Sequence, residues 1–121
     1  MARILIADDE ADMVTGLRDN LQFEGYEVIV ASEGEAALKA ATEQSPDLVI
    51  LDIMMPKMDG LETTREIRKI PACKDLPIVA VTAKAMKGDR ERCIEAGAWD
   101  YLSKPVDRGA LLTVLKAWLH R

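Results

Sequence analysis

The chain has 121 residues, with 16 Lys and Arg against 21 Asp and Glu and a formal net charge of −5. This length predicts one domain, 1–121, whose core needs neither a disulfide nor a structural metal. The negative charge disfavours direct nucleic-acid binding. Its two cysteines, Cys73 and Cys93, lack the spacing of a metal site and indicate a reducing compartment. No apolar run is long enough for membrane insertion and no signal peptide is evident, so we expect a cytoplasmic protein.

Five apolar segments of strand length recur along the chain and predict five β-strands. They are rich in Val, Ile and Leu, and most are apolar throughout, which is typical of strands covered on both faces of a sheet. The segments are Arg3–Ala7, Glu27–Ala31, Asp47–Leu51, Pro77–Thr82 and Trp99–Leu102.

The stretches between these strands have helical spacing of apolar residues. Such faces are formed by Val14, Leu17 and Leu21; by Ala36, Ala37, Ala40 and Ala41; by Leu61, Thr64 and Ile67; and by Leu111, Leu115 and Trp118. Helix ends are predicted near Gly25, Ser45-Pro46, Pro71 and Gly97. The alternation predicts an α/β fold: one doubly wound, five-stranded parallel sheet of order 2-1-3-4-5, flavodoxin-like, with five helices on its two faces.

Polar residues stand where four of the predicted strands end. Asp8 and Asp9 follow the first strand, Asp52 closes the third, Thr82 the fourth, and Lys104 follows the fifth. In the order 2-1-3-4-5 these four strands are neighbours, and ligand sites of such sheets lie at the carboxyl ends of the strands. We therefore expect these side chains to share one crevice.

Three carboxylates in a small crevice require a cation. Without one, Asp8, Asp9 and Asp52 would repel each other and at least one pKa would rise. Mg²⁺ binds one or two carboxylates together with waters and phosphate oxygens, which suits a site at a sheet edge. With Lys104 it would leave the resting site neutral.

Each residue also has an ordinary structural explanation. Asp9 could cap the first helix, Thr82 could be one more strand residue, and Lys104 could be solvated. Asp52 is the hardest to explain in this way, because a carboxylate that closes an apolar strand is costly unless it is paired or bound to metal. The occurrence of all five residues together at successive strand ends favours a functional site over these separate explanations.

The run from Asp52 to Gly60, Asp-Ile-Met-Met-Pro-Lys-Met-Asp-Gly, resembles the phosphorylation-site signature of receiver domains of two-component response regulators. Asp8-Asp9, Thr82-Ala83, Tyr101 and Lys104-Pro105 match other landmarks of that family, and the resemblance covers the whole chain. The segment from Thr82 to Asp107 is further similar to receiver modules of hybrid sensor histidine kinases.

The resemblance implies a phosphorylation-dependent signalling switch and a role for each residue. Asp52 would accept a phosphoryl group from a phosphohistidine. Asp9, Asp52 and the Met54 carbonyl would hold Mg²⁺ directly, with Asp8 acting through a water. Lys104 and Thr82 would bind phosphoryl oxygens, and the Lys104-Pro105 peptide bond is expected to be cis.

The expected output is a change in partner affinity at the face formed by the fourth helix, the fifth strand and the fifth helix. Tyr101 matches the aromatic residue that turns inward as the threonine moves. The partners would be a histidine kinase or histidine phosphotransfer protein and a downstream effector. Trp99 either enlarges this face or packs against the fourth helix.

The side chains of Met54 and Lys84 are poorly suited to orienting a hydrolytic water, which predicts a long-lived phosphoaspartate.

Three other functions are compatible with parts of the sequence. An aspartate-nucleophile phosphohydrolase of the haloacid dehalogenase kind would need a second acid two positions after Asp52, where Met54 stands. An FMN carrier would have a phosphate-binding loop after the first strand, where Asp8, Asp9 and Glu10 would repel a phosphate. A receiver-like scaffold without phosphotransfer remains the alternative, although the acidic residues are all present. We expect no enzyme in the usual sense, only a domain that assists its own phosphorylation and dephosphorylation.

Overall fold

A computed structural model describes residues 2–55, 57–82 and 88–119. Its five strands all pair in parallel, in the order β2-β1-β3-β4-β5. This is the predicted doubly wound, flavodoxin-like sheet. The strands are β1 (Arg3–Ala7), β2 (Glu27–Ala31), β3 (Leu48–Asp52), β4 (Ile78–Thr82) and β5 (Asp100–Ser103).

Helices connect successive strands, as predicted. Gly25 and Gly97 lie just after the first and fourth helices with φ angles of 93° and 121°, a region in which glycine carries no side-chain penalty. A short 3-10 helix, Pro71–Cys73, precedes β4. The helices are α1 (Ala11–Phe23), α2 (Gly34–Glu43), α3 (Gly60–Arg68), α4 (Asp89–Ala96) and α5 (Arg108–Leu119).

The core consists of two apolar layers, one on each face of the sheet. On one face Val14, Leu17 and Leu21 of α1 pack with Leu111 and Leu115 of α5. The other layer is formed with α2, α3 and α4. Every residue of β3 and β4 is buried, which explains why these strands are apolar runs rather than alternating patterns.

Several predicted details are corrected by the structure. Both β3 and β5 begin one residue later than predicted, and β4 begins after Pro77, which has no N–H to donate to a ladder. Ala36 is exposed, and the buried stripe of α2 instead begins at Gly34. Sequence periodicity therefore predicts an amphipathic helix here, but it does not predict at which residue the buried face of that helix begins.

Within the described ranges, none of the helices is both long and apolar enough to cross a membrane.

Candidate functional site

Asp8, Asp9 and Asp52 meet at the carboxyl ends of β1 and β3. Each offers a carboxylate oxygen, and the three oxygens lie within 4.8 Å of one another. Asp8 and Asp52 are each only 3% exposed, whereas Asp9 is open to solvent. The side chain of Asp9 does not cap α1, whose N-cap position is occupied by Glu10. The structure therefore brings together all three predicted carboxylates.

Strand register explains this convergence. Because β1 and β3 are parallel neighbours with Ala7 opposite Leu51, Asp8 and Asp52 follow at the same level. Local hydrogen bonds then fix both carboxylates: the backbone N–H of Glu10 donates to Asp8 Oδ1 at 2.9 Å, and that of Met54 donates to Asp52 Oδ1 at 3.0 Å. Each acid is thus held by the turn that follows it.

Lys104 provides the positive charge in this crevice. Its Nζ lies 3.2 Å from Asp52 Oδ2, 3.3 Å from Asp8 Oδ2 and 3.7 Å from Glu10 Oε1. The Lys104 side chain is only 14% exposed. Its backbone N–H donates to the Thr82 carbonyl at 2.7 Å, which extends the β4–β5 pairing beyond Ser103. Sequence reasoning predicted Lys104 and Thr82 at this rim, but it did not predict the contact with Glu10.

Burial and neighbouring charges perturb the acceptor candidate and its lysine. The pKa of Asp52 is raised overall, mainly by burial and also by the negative charge of Asp8. The hydrogen bond from the Met54 N–H and the interaction with Lys104 act in the opposite direction and lower this pKa. Burial alone would lower the pKa of Lys104, but the hydrogen bond from its ammonium to Asp52 and the negative charges of Asp52 and Asp8 raise it overall. Lys104 is therefore firmly protonated and electrostatically bound to the two buried acids.

The loop from Asp52 to α3 packs tightly against the strand end. Asp59 Oδ1 accepts a hydrogen bond from the Glu62 N–H at 2.8 Å and so caps α3. A Cβ at Gly60 would overlap the Asp52 carbonyl oxygen and come within 2.5 Å of the Ile53 Cα. Only glycine lets α3 start this close to the acidic residue.

A groove opens beside the acidic cluster, between the loop after β3 and α4. Met54 is 70% exposed there. Arg92 of α4 also borders the groove, which the sequence did not indicate, because the rotation of α4 about its axis decides which of its charges faces the cleft. The lining residues are Asp9, Ile53, Met54, Met55, Asp59, Leu61 and Arg92.

Thr82 and Tyr101 lie on adjacent strands. Thr82 is 3% exposed at the end of β4. Tyr101 of β5 is half-buried on the sheet face that α4 covers. Its pKa is raised by burial and by the negative charges of Asp89, Cys93 and Glu91 when ionised. Tyr101 lies opposite Ala80, two residues before Thr82 on β4, on the sheet face that α4 covers.

Trp99 contacts elements on both sides of the sheet edge. It precedes β5, its ring centroid lies 5.3 Å from that of Trp118 in α5, and the Arg68 guanidinium lies 5.6 Å from the Trp99 ring centre. The Trp118 Nε1–H donates to Asp100 Oδ2 at 3.0 Å. Trp99 thus lies at the amino end of β5, opposite the acidic rim.

The carboxylate set suits Mg²⁺. At metal–oxygen distances of about 2.1 Å, octahedral coordination separates ligand oxygens by roughly 3–4 Å, so a shift of under about 1 Å would bring the carboxylate oxygens into coordination range. Hard oxygen donors with an open side leave room for water and phosphate oxygens. The residues present therefore fit this ion.

Two further expectations concern the neighbouring loops. The Lys104-Pro105 peptide bond is cis, as the resemblance implied. Lys84 lies outside the residues that the structure describes.

Comparison with known proteins agrees with this arrangement. The sequence matches the response regulator receiver domain family over residues 4–116. It is 43% identical over 119 residues to the alkaline phosphatase synthesis transcriptional regulatory protein PhoP of Bacillus subtilis, covering 98% of this chain and 49% of PhoP. It is 39% identical to the transcriptional regulatory protein PrrA of Mycobacterium tuberculosis, covering 98% of this chain and 50% of PrrA. The chain thus spans about half the length of the curated relatives it matches.

Solved structures with the same fold include receivers of both sensor kinases and response regulators. The receiver domain of sensor histidine kinase PA1611 from Pseudomonas aeruginosa, with magnesium in its active-site cleft, superposes with a TM-score of 0.92 at 37% identity, covering 99% of this chain and 98% of that one. A response regulator from Chloroflexus aurantiacus gives 0.94 at 36%, with the same coverage. This chain belongs to the response regulator receiver domain family, whose members are phosphorylation-dependent signalling domains of two-component systems.

Proposed function

We propose that Asp52 is the phosphoryl acceptor of this receiver domain and that its phosphohistidine donor is a histidine kinase or a histidine phosphotransfer protein. The observation that carries this assignment is the pairing of a 3%-exposed Asp52 with Lys104 at 3.2 Å inside a cluster of three carboxylates. Burial of a carboxylate beside other acids costs free energy. The presence of Asp52 in such a site, paired with a single lysine, therefore favours a functional role over a structural one.

The chain's own residues divide the remaining work. Asp52 Oδ2 acts as nucleophile, and Lys104 moves from the carboxylates to a phosphoryl oxygen while the Thr82 hydroxyl donates to another. A Mg²⁺ ion held by Asp9, Asp52 and the Met54 carbonyl, and by Asp8 through a water, would neutralise phosphoryl charge. Phosphoryl transfer depends mainly on such positioning and charge stabilisation. The domain thereby assists its own phosphorylation and dephosphorylation.

The output is a change at the face formed by α4, β5 and α5, where an effector protein or domain binds. Tyr101 lies opposite Ala80, two residues before Thr82, so displacement of Thr82 towards a phosphoryl group would vacate space into which the Tyr101 ring can turn. The two buried, free cysteines support a reducing, cytoplasmic location. Direct nucleic-acid binding by these residues is disfavoured by the net charge of −5.

Intact-mass measurement after incubation with acetyl phosphate and Mg²⁺ tests the acceptor. We expect the wild type to gain one phosphoryl group and Asp52→Asn to gain none, because an amide does not form an acyl phosphate. Asp12→Asn, an exposed aspartate of α1, is the matched control and should be labelled like the wild type. Equal labelling of the wild type and Asp52→Asn would refute the assignment.

A further inference from the structure

We infer that Arg92 of α4 binds the phosphoryl group of an anionic small-molecule phosphodonor at the mouth of the cleft and so determines how tightly such donors bind; this inference rests on the proposed function of Asp52. Arg92 borders the groove that also contains Asp9, Met54 and Asp59. Asp9 belongs both to this groove and to the acidic cluster, so the groove leads directly to the proposed acceptor.

The side chain of Arg92 is held in place yet accessible. Its Nη2 lies 3.0 Å from Asp89 Oδ1, one turn earlier on α4, and the Asp89 side chain is only 11% exposed. The Arg92 side chain itself is 59% exposed. A buried carboxylate therefore anchors one end of the guanidinium, while its remaining N–H groups are available to a ligand in the groove.

The negative charges that line the cleft would repel an anionic phosphodonor, and Arg92 offsets this repulsion. An anionic donor that approaches Asp52 meets the carboxylates of Asp9 and Asp59 on the groove walls. Lys104 is already engaged by Asp52 and Asp8. Among the residues that the structure describes, Arg92 is the one cation that lines the groove. A planar guanidinium suits a phosphoryl group because it can donate two parallel hydrogen bonds.

The reaction itself is unchanged by this role. With acetyl phosphate, an Asp52 carboxylate oxygen forms a bond to phosphorus while the bond between phosphorus and the acetate oxygen breaks. Acetate leaves with the electron pair, and the products are the phosphoaspartate and acetate. Arg92 contacts the incoming phosphoryl oxygens before the transfer, so its removal should affect donor binding more than the rate of transfer from bound donor.

The test measures initial phosphorylation rates against acetyl phosphate concentration at saturating Mg²⁺ for wild type, Arg92→Gln and Arg92→Lys. We expect the half-saturating concentration to rise about threefold in Arg92→Gln, the size typical of an exposed ion pair, with an unchanged maximal rate. Arg92→Lys should recover part of the loss. Added KCl should raise the wild-type value more than that of Arg92→Gln, because salt screens an exposed charge.

The matched control is Arg90→Gln, which removes the same charge from an exposed position of α4 that does not border the groove. Its half-saturating concentration should equal that of the wild type. Equal values for wild type and Arg92→Gln, or equal increases in both Gln variants, would overturn the role of Arg92. Failure of Asp52 as acceptor is recognised separately, because Asp52→Asn would then be labelled as fast as the wild type.

Discussion

Replacement of Lys104 by Met should destabilise the metal-free domain by about 2–3 kcal/mol. The substitution preserves most of the side-chain volume but removes the ammonium that lies 3.2 Å from Asp52 and 3.3 Å from Asp8. Both acids would then remain in a site where each is 3% exposed, without their lysine.

The magnitude follows from burial rather than from contact distance. At an effective dielectric constant of about 20, two charges 3.2 Å apart attract by roughly 5 kcal/mol, and much of this offsets the cost of dehydrating them. Removing one partner of a buried pair typically costs about 3–5 kcal/mol, which we reduce because Lys104 is 14% exposed.

Lys69 offers a matched control. Its Nζ lies closer to its partner, 2.7 Å from Glu66 Oε2, but the two side chains are 72% and 35% exposed. An exposed ion pair three residues apart on a helix contributes about 0.2–0.5 kcal/mol. Lys69→Met should therefore cost several times less than Lys104→Met, despite the shorter distance.

Urea denaturation with EDTA and then with saturating Mg²⁺ measures both variants. With EDTA, Lys104→Met should lower the midpoint by on the order of 1–2 M urea. With Mg²⁺ the cost should fall by at least half, because the ion takes over neutralisation of the carboxylates. A cost for Lys104→Met that is the same in both conditions, or no larger than that for Lys69→Met, would refute this electrostatic account.

Three further outcomes are expected. Asp9→Ala should remove the Mg²⁺-dependent shifts of the backbone amides around the acidic cluster while leaving the fold intact, as two-dimensional NMR can show; persistent shifts would contradict its role as a ligand. Thr82→Ala should still accept one phosphoryl group but leave the Tyr101 ring resonances where they are in the unphosphorylated protein; a normal response would break the proposed link between the two residues. The double variant Met54→Asn/Lys84→Glu should release inorganic phosphate several times faster than the wild type, because both new side chains can orient a water, and an unchanged release rate would rule out these positions as the cause of a long-lived phosphoaspartate.

The sheet and the acidic cluster could be predicted from sequence because both depend on regular geometry. Strands buried on both faces, such as β3 and β4, read as continuous apolar runs, and the parallel order then places their carboxyl ends together. The proximity of Asp8 and Asp52 could be predicted from this strand order alone. Their contact with Lys104 follows from the same register, since Lys104 continues the pairing of β5 with β4.

Features that depend on the rotation or crossing of helices could not be predicted in the same way. Spacing places Arg92 and Arg90 on one helix, but only the packing of α4 beside α3 decides that Arg92 borders the groove. Trp99 was expected either to enlarge the face formed by α4 and β5 or to pack against α4. Its observed contacts with Trp118 of α5 and the Arg68 guanidinium of α3 depend on how these helices pack at the sheet edge, which the sequence does not show.

The pairing of Trp99 with Trp118 gives the domain a spectroscopic reporter at a single place. These are the only two tryptophans of the chain, and their rings are 5.3 Å apart and inclined by 58°. Intrinsic fluorescence and near-ultraviolet circular dichroism of the protein are therefore dominated by the junction of β5 and α5, far from the acidic rim. A phosphorylation-induced change in either signal would show that an event at Asp52 has been transmitted across the length of the sheet.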